Sequence, residues 1–185
     1  FFHGEQFQTD GPGKAIKKGI ILIPEDRRRA GLFSNMDVKD NVGIIHDKKI
    51  SYFSFLQARR IIQITNDYIR KLHIKLSGVT QMVRELSGGN QQKVVISRCL
   101  STDPEILIMD EPTRGIDVGT KAEIYKILRH LKNDEGKAFI VISSEVEEIV
   151  SECDRVIIMR NGRIAGEVTG HAITKENILQ YAFAG

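Results

Sequence analysis

The stretch Leu86-Ser87-Gly88-Gly89-Asn90-Gln91-Gln92-Lys93 decides how the chain is read. In it, a serine and two glycines stand directly before a helix-forming run, Gln91 to Leu100. Glycines let the backbone turn its N–H groups outward without a Cβ in the way, and the helix that follows points the positive end of its dipole at the same spot. The pattern predicts an anion site, and a phosphate would suit it. Downstream, Ile106-Leu107-Ile108-Met109 runs straight into Asp110-Glu111, an apolar buried-strand pattern that delivers two carboxylates at its C-terminal end. Such a pair suits metal and water. Taken alone, Ser-Gly-Gly before a helix is an ordinary cap, and Asp-Glu after a strand is a solvated acidic turn.

Composition sets bounds around these motifs. With 185 residues and 41% hydrophobic content, the chain can bury one substantial core, so one domain with a helical insertion is expected. The net charge is +3, from 27 basic and 24 acidic residues, and no basic stripe is interleaved with aromatics. Nucleic acid is therefore not an expected partner. Cys99 and Cys153 each sit among apolar residues, which fits reduced, buried thiols and a cytoplasmic setting rather than a disulfide framework. No apolar run is long enough to cross a bilayer, and Phe1-Phe2-His3-Gly4 is too short for a signal peptide. Any membrane link is expected to come through a partner.

Upstream of the signature stretch, Asp10-Gly11-Pro12-Gly13 is a turn cluster, Lys14 to Lys18 forms a short helix capped by Gly19, and Ile20-Ile21-Leu22-Ile23 is a strand buried on both faces and ended by Pro24. From Gly31 to Gln81 the pattern is helical, with a short helix opened by Asn35 to Val38 and a longer one from Ala58 to Leu72. The longer helix has a dry face of Ile61, Ile64, Tyr68 and Leu72, with Ile62 and Ile69 beside it. Tyr52, Phe53, Phe55 and Leu56 either close this local core or meet a partner. After the break at Ser101 to Pro104 comes the acidic strand, then a helix from Val118 to Leu131 and a polar break at Asn133 to Gly136. A strand at Phe139 to Ile142, a short helix at Glu145 to Val150 and a strand at Arg155 to Met159 continue the alternation. Strand–helix alternation predicts a parallel sheet covered on both faces, with ligands at the carboxyl ends of its strands. Asn161-Gly162 reads as a hairpin turn, and Thr174 caps a last helix that ends near Phe183.

The motifs do not stand alone. LSGGNQQK, the strand ending in Asp110-Glu111, and Pro112-Thr113-Arg114-Gly115-Ile116-Asp117 together resemble the signature motif, Walker B strand and D-loop of an ABC-type ATPase. The wording NQQK, PTRGIDVGTK and Pro24-Glu25-Asp26-Arg27-Arg28 is similar to the second nucleotide-binding domain of bacterial importers of ribose, galactose or xylose. The resemblance implies an α/β fold of the P-loop NTPase-like ABC class, with a mostly parallel sheet, a helical signature subdomain over 31–101, a core over 1–30 and 102–185, and a C-terminal hairpin. It implies ATP and Mg2+ as cofactors. Ser87, Gly88, Gly89 and Gln91 would serve the nucleotide, Asp110 the metal and Glu111 the attacking water. Asp117 would lie at the dimer seam while also capping the next helix, and Glu25 occupies the place of the Q-loop glutamine. The implied partners are a first nucleotide-binding domain of the same subunit, membrane-spanning permease subunits whose coupling helix meets the helical subdomain and, indirectly, a periplasmic or extracellular sugar-binding protein. The implied location is peripheral, on the cytoplasmic face of the cell membrane.

Two departures from that pattern matter. No G-x-x-x-x-G-K-[ST] phosphate loop occurs, and Gly11-Pro12-Gly13-Lys14 fails because Ala15 follows it and no buried strand precedes it. The chain, which begins without methionine, is therefore expected to be the later part of a domain, inactive alone. Where the family carries a switch histidine, this chain reads Ile142-Ser143-Ser144-Glu145, and Ser144 has no imidazole to bridge phosphate, water and partner. His3, His46, His73, His130 and His171 lack that context and read as surface residues. The expectation is a degenerate own site, with an intact signature acting on ATP held by the partner domain. The alternatives are a non-hydrolytic interaction module and a soluble ABC-type ATPase.

Overall fold

Two packed units account for the residues that the computed structural model describes, which are 2–4, 6–8, 11–46 and 54–183. The first comprises Phe1–Ile142 and the second Ser143–Gly185.

In the first unit, the apolar runs form a parallel three-stranded sheet ordered β1 (Ile20–Ile23), β2 (Ile106–Asp110), β3 (Ala138–Ile142). Ile20 pairs with Ile106, Ile106 with Ala138, and Asp110 with Ile142. Parallel neighbours require long crossovers. The first contains α2 (Val38–Gly43), α3 (Ser54–Lys71) and α4 (Gly88–Leu100), and the second is α5 (Val118–Glu135). Ahead of β1, α1 (Pro12–Lys17) starts earlier than the apolar pattern suggests, because a proline at the first helical position needs no N–H and already has a helical φ.

Burial alternates along β1 and β2. Ile21, Ile23, Leu107 and Met109 lie in one core with Val94, Val95 and Ile96 of α4, Ile124, Leu128 and Leu131 of α5, and Val38, Val42 and Leu72. On the opposite face, Leu22 is 55% exposed, Ile140 52% and Ile142 50%. The expectation of a sheet covered on both faces is thus not met among the described residues. A continuous apolar run marks a strand, but it does not tell one covered face from two. The register puts Asp110 on this open face, in the same alternation as Leu22, Ile108 and Ile140.

The helical segment follows its pattern. Asp37 caps α2 by accepting from the Asp40 N–H, and Leu72, Ile64, Tyr68 and Ile69 pack on the core, whereas Ile62 stays exposed. The Tyr68 hydroxyl donates to the Leu100 carbonyl at 2.7 Å, and burial raises its pKa to about 12. The side chains of Tyr52, Phe53, Phe55 and Leu56 and of His46 lie outside the described residues. Helix α5 continues past its last buried residue, Leu131, to Glu135, and it ends at Gly136 with φ +66°. The apolar period records only the buried face, so the exposed last turn left no such signal. Both cysteines are free thiols. Cys99 is buried, and Cys153 is half-buried.

In the second unit, α6 (Val146–Glu152) is followed by β4 (Arg155–Arg160) and β5 (Arg163–Thr169), an antiparallel pair, and then by α7 (Lys175–Phe183). The alternation suggested that β4 extends the parallel sheet, but its partner is β5. Asn161 and Gly162 both adopt positive φ, +50° and +75°, the geometry of a two-residue turn that returns the chain at once. Val156, Ile158, Val168 and Ile178 form its core. A Cβ at Gly166 would sit 2.4 Å from the Tyr181 ring, so the glycine lets α7 lie against β5. Thr174 accepts from the Asn177 N–H at 3.2 Å and caps that helix.

A one-faced sheet has a measurable consequence. Leu107→Ala removes a fully buried side chain and is expected to cost about 2–5 kcal/mol. Ile140→Ala on the open face is expected to cost less than about 1 kcal/mol. Urea unfolding monitored by circular dichroism separates the two through their midpoints.

Candidate functional site

The signature turn is built by a cap and two close approaches. Ser87 precedes α4, and its Oγ accepts from the Asn90 N–H at 3.4 Å and from Asn90 Nδ2 at 2.9 Å. Asn90 Oδ1 in turn accepts from the Lys75 N–H at 2.9 Å. The first-turn N–H groups of a helix have no intrahelical acceptor, and Ser87 is exposed beside them. Neither Gly88 nor Gly89 has positive φ. They are needed for space. A Cβ at Gly89 would lie 2.3 Å from Thr120 Cγ2, and one at Gly88 would lie 2.8 Å from Arg27 Nη2 and 3.6 Å from the Gly115 carbonyl.

Gln91 is placed differently from expectation. Its side chain is 6% exposed, and Nε2 donates to the carbonyls of Val83 and Leu86, both at 3.2 Å. It braces the approach to the signature turn from inside, because one turn into α4 that position already faces the core. Lys93 is also buried. Its Nζ donates to Glu123 Oε2 at 2.7 Å and to the His73 carbonyl at 3.3 Å, tying α4 to α5. The hydrogen bond and then the charge of Lys93 hold the Glu123 carboxyl below its usual range.

At the end of β2, Asp110 stands on the open sheet face. Glu111 adopts φ +43°, a left-handed conformation unusual for a side chain of its size, and its N–H donates to the Ile142 carbonyl at 2.8 Å. Pro112 and Thr113 are buried, and the loop then turns through Gly115 at φ +67°. Asp117 caps α5. It accepts from the Thr120 N–H at 2.9 Å and from its hydroxyl at 2.8 Å, and these bonds lower its pKa. Among the described residues no cluster of three or more His, Cys, Asp or Glu could hold a metal ion. Mg2+ rarely needs one, since it binds through one or two carboxylates together with waters and substrate phosphates. Asp110 suits that mode.

A third segment joins these two. After β1, Asp26 accepts from the N–H groups of Arg28 and Arg29 at 2.9 and 3.1 Å and caps a wide helical turn over Arg27–Gly31. Glu25 forms an ion pair with the Arg114 guanidinium. Arg27 Nη1 donates to the Arg114 carbonyl at 3.0 Å. Glu25, Asp26, Arg27, Arg28 and Arg114 line an open cleft of about 450 Å³. The first unit therefore brings together the signature turn, the loop from Arg114 to Asp117 and the Glu25–Arg27 segment. Ser144 belongs to the second unit, where it is exposed. Sequence reasoning missed the inward roles of Arg27 and Lys93, for charged residues carry no apolar period that would mark them as buried.

The sequence profile of the family described as ABC transporter matches residues 2–114. The chain belongs to that family. It is similar to a ribose import ATP-binding protein of Caldanaerobacter subterraneus, with 43% identity over all of this chain and 37% of that protein. It is 42% identical, again over its whole length, to a xylose import ATP-binding protein of Thermoanaerobacter pseudethanolicus, of which it covers 36%. The chain thus spans a little over a third of the length of these curated relatives. Among solved structures, a nucleotide-free ATP-binding cassette from an ABC transporter matches with a TM-score of 0.70 at 25% identity, over 91% of this chain and 68% of that one. A cassette in a dimeric post-hydrolysis state with ADP and phosphate shares the fold at a TM-score of 0.71 and 22% identity, over 88% and 68% of the two chains. The α/β fold of an ABC ATPase cassette is thereby established for this chain.

The ABC signature glycines carry a structural prediction. Gly89→Ala forces a methyl group against Thr120, and overpacking of this kind costs about 1–3 kcal/mol. The melting temperature should fall by several degrees. Adding Thr120→Ser, which removes Cγ2 and keeps the hydroxyl on Asp117, should recover much of that loss in differential scanning calorimetry.

Proposed function

We propose that this chain is part of the second nucleotide-binding domain of the ATP-binding subunit of a bacterial monosaccharide importer. In this role its signature turn acts on ATP held by a partner domain. The observation that carries the reading is the exposed Ser87 at the start of α4, beside first-turn N–H groups, with the adjoining Gly88 close to the Gly115 carbonyl of the loop that ends in Asp117. The import functions named for the ribose and xylose relatives support the substrate class.

In this reading Ser87, Gly88 and Gly89 offer hydrogen-bond donors to the γ-phosphate of ATP across the domain seam, where Asp117 also lies. Asp110 holds the Mg2+ that arrives with the nucleotide, and Glu111 orients water. Gln91 acts indirectly by fixing the turn. Catalysis of phosphoryl transfer rests mainly on positioning and charge, which suits a site made of helix-terminal donors. The chain's own site is degenerate, since Ser144 stands where an imidazole would be needed. Alone, the chain does not hydrolyse ATP.

Residues 31–101 form the helical signature subdomain and 1–30 with 102–185 the core. The segment from Glu25 to Arg29, with Arg28 and Arg29 exposed, and the helical segment from Asn35 to Leu72 meet the coupling helix of the membrane-spanning permease, which receives sugar from a binding protein outside. No described helix is long and apolar enough to cross a membrane, in keeping with a peripheral subunit on the cytoplasmic face.

The test is made in the complete two-domain subunit with its membrane partners. Ser87→Arg should reduce sugar-stimulated ATPase about a hundredfold, the usual cost of losing one preorganised donor. Glu111→Gln should reduce it far less. Equal and near-complete losses would overturn the degenerate-site reading, and an undiminished rate in Ser87→Arg would overturn the trans role.

A further inference from the structure

We infer that Arg27 is a positioning residue that holds the signature turn and the loop after β2 in one fixed geometry, an inference that rests on the ATPase role proposed for that turn. Two contacts of a single guanidinium, and the burial of its Nε, carry it. Nη1 donates to the Arg114 carbonyl at 3.0 Å. Nη2 lies over Gly88 so closely that a Cβ there would be only 2.8 Å away. Nε is buried with no acceptor among the described residues.

Two residues earlier, the Glu25 carboxylate takes the Arg114 guanidinium, so one short segment grips Arg114 at its side chain and at its backbone. The turn that presents Arg27 is itself fixed, since Asp26 accepts from two of its N–H groups. The turn sends Arg28 and Arg29 to solvent, while Arg27 is mostly covered.

The chemistry favours arginine for this task. Its planar fork bonds a carbonyl with one arm while the other arm lies close to a glycine, whereas a lysine ammonium is a point charge that serves one place at a time. Burial, and then the charge of Arg28, lower the pKa of Arg27 from its usual value. Gly88 has a second reason to be glycine, because any side chain would drive the guanidinium off the Arg114 carbonyl.

Hydrogen exchange on this chain tests the geometry without nucleotide. The amides of Asn90, Gln91, Arg114 and Ile116 are hydrogen-bonded within their own loops. In Arg27→Ala their exchange should accelerate about tenfold or more while the β1–β3 amides keep their rates, since local opening is read separately from global unfolding. Gly88→Ala should loosen Arg114 and Ile116 in the same way, and the double variant should add nothing further. Unchanged exchange in either loop, or equal acceleration throughout the chain, overturns the inference.

In the complete transporter, Arg27→Ala should lower kcat between about tenfold and a hundredfold, as misplacement of catalytic groups does. KM for ATP should hardly change, and Arg27→Lys should rescue little of kcat. An unchanged kcat also overturns it. Wild-type transporter without sugar-stimulated ATPase would instead sink the importer reading, and the exchange measurement would still decide the role of Arg27.

Discussion

The close approach of two helix N-termini is the constraint on which the first unit depends. At Gly89 the start of α4 comes within contact of Thr120 in the first turn of α5, a distance that no side chain at that position permits. Two positive dipole ends, with Arg27 between their loops, gather positive potential in one place. Asp117 offsets part of it as the cap of α5, and the hydrogen bonds from the Thr120 N–H and hydroxyl hold its carboxyl below the usual range. The packing that joins the helices therefore also brings their first turns together beside the exposed Ser87.

Everything nearby serves that juncture. Lys93 and Glu123 join the two helices a little further along, with the ammonium buried and its carboxylate partner half in solvent. Such a pair contributes less to stability than to fixing one arrangement over others, because the desolvation of Lys93 cancels much of the attraction. Gln91 spends its amide donor on two carbonyls of the preceding turn rather than on a ligand. The strands act as a base, with Leu107 and Met109 buried beneath α4 and α5 while Asp110 emerges on the opposite face.

How much of this was legible in the sequence follows from which physical signals are local. Capping is local, so Ser87, Asp117 and Thr174 announced their helices, and Asn161-Gly162 announced its hairpin. Strand identity was legible from apolar runs, but coverage was not, since Leu22 and Ile23 look alike in sequence and differ wholly in burial. Alternation of elements says nothing of strand direction and did not separate β4 from the parallel sheet, whereas the Asn161-Gly162 turn gave its partner, β5. Arg27 was hidden most completely. Its role arises from Arg114 and Gly88, both far away along the chain, and nothing in an arginine run distinguishes the one that turns inward. For Asp110 and Glu111 the acidic pair at a strand end already suggested metal and water, and the family resemblance implied which carboxylate would serve which.

The backbone of Glu111 carries a consequence for how this protein can vary. A left-handed conformation costs a glutamate of order 1–3 kcal/mol, whereas asparagine and glycine adopt it readily. At this one position, thermostability and the carboxylate pull in opposite directions. Drift or laboratory selection for robustness alone would discard the acid and gain a firmer fold.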